Sequence, residues 1–122
     1  MNYSDKFNEL PWHDSALLNI EIDRKKPGEN DSIRLFIKWP DGNENLVVFS
    51  DCYFFDAKMN FGIVAEESIL SADCRSDCEE ILVIKNRWAP LGVELDNLLC
   101  YTINTNSTNS SLKILALSMD VV

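Results

Sequence analysis

The chain of 122 residues contains one histidine, His13, and only four glycines and four prolines. A lone histidine excludes metal centres built from several imidazoles. Four scattered glycines leave no phosphate-cradling loop, and no G-x-S-x-G occurs, so a serine nucleophile elbow is excluded. No apolar run approaches the roughly 20 residues that a spanning helix needs. Basic residues are few as well, 11 Lys and Arg against 20 Asp and Glu, for a net charge of −9. Such a field repels phosphate backbones and anionic membranes, which argues against nucleic-acid and membrane partners. It attracts basic proteins and speeds their encounter. The start MNYSDKFNELPWHDS has an acid at Asp5 but neither a basic cluster nor an apolar core. The expectation is therefore no export signal, a cytoplasmic protein, and free thiols at Cys52, Cys74, Cys78 and Cys100.

What is present suits one globular domain over residues 1–122. Hydrophobic residues make up 46% of the chain, and a chain this size buries enough surface to fold without metal or disulfide. Met1 to Asp14 reads as a polar lead-in anchored by Leu10, Pro11 and Trp12. Ala16, Leu18, Ile20 and Ile22 then alternate with Leu17, Asn19, Glu21 and Asp23, the period of a half-buried strand. A second strand puts Ile33, Leu35, Ile37 and Trp39 on one face. Pro40-Asp41-Gly42-Asn43 turns the chain into a third strand over Leu46 to Phe49. These three form an antiparallel meander.

After a weak turn at Ser50-Asp51, Tyr53, Phe55, Ala57, Met59 and Phe61 share one parity, predicting a fourth strand. Ser68 to Cys74 is a short fifth. Ser76 to Trp88 reads as a helix, with Ser76 and Glu79 as a capping box, acids in its first turn and Lys85 and Arg87 in its last. Ile81, Ile84 and Trp88 fall on one face. These end signals favour helix over a strand through Ile81 to Ile84. Leu98 to Thr105 and Leu112 to Val121 are two further strands, paired across the loop NSTNSS. The predicted fold class is α+β: a mostly antiparallel sheet of about six strands with one helix packed on a face.

Few residues point to chemistry. His13-Asp14 matches the pair found in HD phosphohydrolases, but that chemistry needs histidines this chain lacks. The bland role, a turn residue at the start of the first strand, accounts for His13. Cys74 and Cys78 are spaced C-x3-C, and a structural zinc site would also need Cys52 and Cys100 beside them. No metal, cofactor or catalytic residue is assigned.

The segments WHDSALLNIEI and YTINTNSTNSSLKILAL, with the long meander between them, resemble a family of small bacterial proteins of the immunity type from polymorphic toxin systems. The resemblance implies a cytosolic, non-enzymatic protein that binds a partner, and it carries over no catalytic residue. The expected function is then a binding module, an immunity-type inhibitor of a basic toxin domain. Its candidate partner contacts are Glu21, Asp23, Asp41, Glu44, Asp56 and Asp96, the acids of polar strand faces and turns. Two other readings stand beside it: a small ligand-binding protein or enzyme using His13 with nearby carboxylates, and a homodimeric structural subunit.

Overall fold

A computed structural model describes residues 2–122. Six strands form one antiparallel sheet: β1 (Ala16–Asp23), β2 (Ser32–Lys38), β3 (Glu44–Lys58), β4 (Ile69–Arg75), β5 (Leu99–Thr105) and β6 (Ser111–Val121). Their spatial order is β1-β2-β3-β6-β5-β4. The sheet is the main element, and the two helices, α1 (Tyr3–Asn8) and α2 (Glu79–Trp88), are short. The α+β reading and the β1-β2-β3 meander therefore hold, as does the β5–β6 hairpin.

The sheet curls until its two edges meet at one end. The Leu17 amide donates to the Glu67 carbonyl at 2.9 Å, and the Ile69 amide to that of Ser15 at 2.8 Å. Inside the curl sits the larger core. It contains Ile33, Leu35, Ile37 and Trp39 of the second predicted strand, with Val47, Phe49, Ile103, Leu112 and Ile114 from its neighbours. A single face of β2 thus supplies Ile33, Leu35 and Ile37, and Trp39 continues the same alternation one residue past its end.

Curling demands irregular strands, and here the simple alternation fails. In β1 the register slips between Leu17 and Asn19. Leu17 and Ile20 consequently face the core, while Leu18 and Ile22 are exposed. The expected third and fourth strands are one 15-residue strand, β3. Ser50-Asp51 kinks it rather than turning it, with Asp51 in the left-handed region at φ 53°. A second slip falls between Cys52 and Phe54. Val47, Phe49, Cys52 and Phe55 face inward, so Tyr53 points to the outer face instead of sharing a side with Phe55. Bulges of this kind bend a strand and raise its twist. Phe61 lies beyond the strand and is exposed.

The described part of the lead-in is also more structured than a polar tail. Asn2 caps α1 by accepting the Asp5 amide at 2.8 Å. Phe7 is completely buried, its ring 4.7 Å from Trp12 and 5.1 Å from Tyr101. Trp12 in turn meets Trp39 at 5.2 Å, and its indole N–H donates to the Phe7 carbonyl at 2.8 Å. Asn8 ties the helix to the edge strand β4, accepting from the Cys74 amide at 2.8 Å.

On the outer face, α2 packs Ile81 and Ile84 over Leu98, Cys100 and Leu115, with Trp88 half-buried beside them. The helix reading is right, but its start is not. The N-cap is Cys78, and no side chain caps it, so the Ser76–Glu79 capping box does not form. The chain leaves β4 at Arg75 and spends the next residues turning onto the outer face, which delays the first helical residue to Glu79. Glu79 and Glu80 still complement the helix dipole. Ser76→Ala is therefore expected to change stability by less than about 0.5 kcal/mol, instead of the roughly 1 kcal/mol a lost cap would cost. A urea melt of the variant checks this.

Candidate functional site

Among the described residues, three surface clefts differ in charge balance. The first, about 610 Å³, lies on the outer sheet face beyond the start of α2. Strand register sets one polar row across it: Asp56 opposite Lys113, Lys113 opposite Thr102, Thr102 opposite Asp73. Most of the charges there satisfy one another, although Asp56 and Lys58 also line it without an ion pair among the described residues. Lys113 pairs with Glu80, and Arg75 Nε donates to Asp73 at 2.8 Å. The Thr102 hydroxyl, helped by Arg75, holds the Asp73 carboxyl below its ordinary range, and Lys113 does the same for Glu80. Groups already paired have little to offer a ligand.

The second cleft, about 640 Å³, lies between the β1–β2 hairpin, the kink of β3 and the end of α2. Asp23, Asp31 and Asp51 line it, against one base, Arg24. Asp31 is occupied: Arg24 Nε donates to one of its oxygens at 3.2 Å, and the Gly28 amide to the other at 3.2 Å. Asp51 is exposed and forms no ion pair among the described residues. Tyr53 and Trp88 make the apolar wall, ring to ring at 5.3 Å and edge to face. Ser32 also lines this cleft. It is 4% exposed, and its hydroxyl finds no hydrogen-bond partner among the described residues. Leaving such a group unpaired costs about 1–3 kcal/mol.

The third cleft, about 1000 Å³, runs between the start of α1 and the segment after α2, with Lys85, Glu94 and Asp96 on its sides.

The six acids expected to contact a partner are dispersed. Asp56 is in the first cleft, Asp23 in the second and Asp96 in the third, so no two share one. Glu21 lies on β1, 3.8 Å from Arg34 of β2. Asp41 accepts from the Asn43 amide at 2.9 Å within its own turn, and Glu44 opens β3, exposed. Asp31, Ser32, Asp51, Tyr53 and Trp88 were not in the sequence-derived set. The only hint was the Ser50-Asp51 break, which reads as a turn in the sequence.

His13 lines none of these clefts. Its Nδ1 donates to the Leu70 carbonyl at 2.9 Å, and its Nε2 stands 3.6 Å from Asp14, at the seam where the sheet edges meet. Three of the thiols are poor nucleophiles. Burial pushes Cys52 up to about 12 and Cys74 up to about 11, and raises Cys100 further. Native protein at pH 8 is expected to alkylate slowly at these three positions, whereas the denatured chain titrates four thiols. Mass spectrometry after a timed iodoacetamide pulse reads both.

Among the described residues, no three His, Cys, Asp or Glu side chains converge to hold a metal ion, and no helix is long and apolar enough to cross a membrane. No protein-family model and no curated protein sequence matches the chain.

Proposed function

We propose that the chain is a non-enzymatic binding module that docks onto a basic protein, in the manner of an immunity-type inhibitor of a toxin domain. The observation that carries this reading is the second cleft. It combines a surplus of carboxylates with an aromatic wall and holds neither a histidine nor an ionised thiol. Carboxylates beside Tyr and Trp suit cationic side chains, which gain from charge and from ring faces together. The net charge of −9 adds long-range attraction to a basic surface.

The test is to recover the partner from the native host with the tagged full chain and to measure binding kinetics across a salt series. The partner is expected to be basic. Its association rate is expected to fall steeply with salt, since exposed charges are screened beyond about 8–10 Å at physiological ionic strength. An acidic partner, or an on-rate indifferent to salt, contradicts the reading.

The homodimer reading draws support from β1. Beyond Leu17 its outer edge is unpaired among the described residues, and Leu18 and Ile22 of this strand are exposed. Such edges invite strand pairing. Sedimentation across a concentration series separates a second copy from a foreign partner.

A further inference from the structure

We infer that the cleft between the β1–β2 hairpin and the end of α2 is a receptor for an arginine side chain carried on the protein partner. Asp51 and the Ser32 hydroxyl form its hydrogen-bonding end, and Tyr53 and Trp88 its stacking wall. This rests on the reading that the partner is basic, and goes beyond it by assigning the site and the group it takes.

Two independent observations converge. The first is composition: Asp51 lines the cleft, exposed and without an ionic partner among the described residues, while Asp31 is spent on Arg24 and the Gly28 amide. Among the described residues, no three carboxylates of the cleft converge to hold a metal ion. A cation that spreads its donors over several points fits better. The second is the Ser32 hydroxyl, buried, lining the same cleft and unpartnered. A hydroxyl oxygen without a partner can accept an N–H from a ligand that enters. Register places these groups together, because Ser32 lies opposite Ser50, the residue before Asp51.

Arginine meets these demands better than lysine. Its guanidinium is planar, stacks on aromatic faces and carries five N–H donors in a fixed fork. One carboxylate, one hydroxyl and a ring wall can then be engaged at once. The ammonium of lysine is compact, strongly hydrated and unable to stack. A volume of about 640 Å³ leaves room for the flanking backbone of a peptide.

The probe is a short acetylated, amidated Gly-Arg-Gly peptide, compared with the same peptide carrying neutral, isosteric citrulline and with its lysine version. The full chain is titrated at low salt, and the Trp88 indole N–H signal is followed by NMR, assigned with Trp88→Phe. The arginine peptide is expected to shift that signal saturably, the lysine peptide to bind more weakly, and the citrulline peptide to leave it in place.

Two variants locate the site. Asp51→Asn removes the charge yet suits the left-handed backbone, which asparagine tolerates. Ser32→Ala removes a hydroxyl that bonds nothing in the free protein, so its unfolding midpoint should equal or exceed that of the natural chain. Each is expected to weaken the arginine peptide at least about tenfold, the scale of one lost charge-assisted hydrogen bond. Equal binding of the citrulline peptide, or unchanged affinity in both variants, overturns the receptor. If a basic partner still binds with salt-sensitive kinetics in that case, the wider reading survives without this site. If no basic partner binds at all, both fall. A lowered midpoint in Ser32→Ala would make the hydroxyl structural and also overturn its role here.

Discussion

Phe7→Ala is expected to cost about 3–5 kcal/mol, the range for truncating a buried aromatic. Domains of this size are stable by about 5–15 kcal/mol in total, so the variant should stand near the edge of folding. The reason is position. Phe7 comes from a six-residue helix that has little stability of its own. What holds α1 in place is this one ring, fully buried between Trp12 and Tyr101, with Asn8 and Lys6 tying the helix to β4 and Asp120. Deleting the ring leaves a cavity inside the curled sheet and releases the helix that covers it. The measurement is a urea melt followed by near-ultraviolet dichroism. A midpoint close to that of the natural chain would mean that α1 is an ornament and the core stands without it.

Asp51→Lys is expected to weaken the partner at least about hundredfold, since like charges brought face to face at an interface cost several kcal/mol. The fold should survive. Asp51 is exposed on a strand kink, and the backbone penalty for lysine in the left-handed region is about 1–2 kcal/mol. The same reversal at Asp41 should do far less, because that acid sits in the β2–β3 turn, lines none of the three clefts, and is used to hold Asn43. Parallel affinity measurements on the two variants, each checked for its unfolding midpoint, read the difference. Equal losses would show that the chain attracts its partner by net charge alone.

The legible part of the fold is the part governed by local rules. Ile33 to Trp39 alternate cleanly because β2 lies between two neighbours and buries one face throughout. The α2 segment declares itself by acids first and bases last, even though its cap is absent. Closure of the sheet could not be read, because it depends on amides of Leu17 and Ile69 meeting carbonyls far away in sequence. The same long-range bending sends Leu17 inward where parity chose Leu18, and Tyr53 outward where parity joined it to Phe55. Phe7 was hidden because one apolar residue in a polar turn carries no period. The cleft was hidden for a related reason. Asp23, Ser32, Asp51, Tyr53 and Trp88 come from separate strands and a helix, and only their register and packing bring them to one place. Of the six acids chosen by count, Asp23 lines this cleft and the other five lie elsewhere on the surface.

The most direct measurement is hydrogen exchange on the natural chain, free and bound to the partner recovered from its host. Binding through the second cleft should slow exchange in the Asp23–Ser32 hairpin, around Asp51 to Phe55 and at the end of α2, while the polar row of Asp56, Thr102 and Lys113 exchanges as before. Protection confined to that row, to the Asp41 turn or to the outer edge of β1, with the cleft unchanged, would contradict the account.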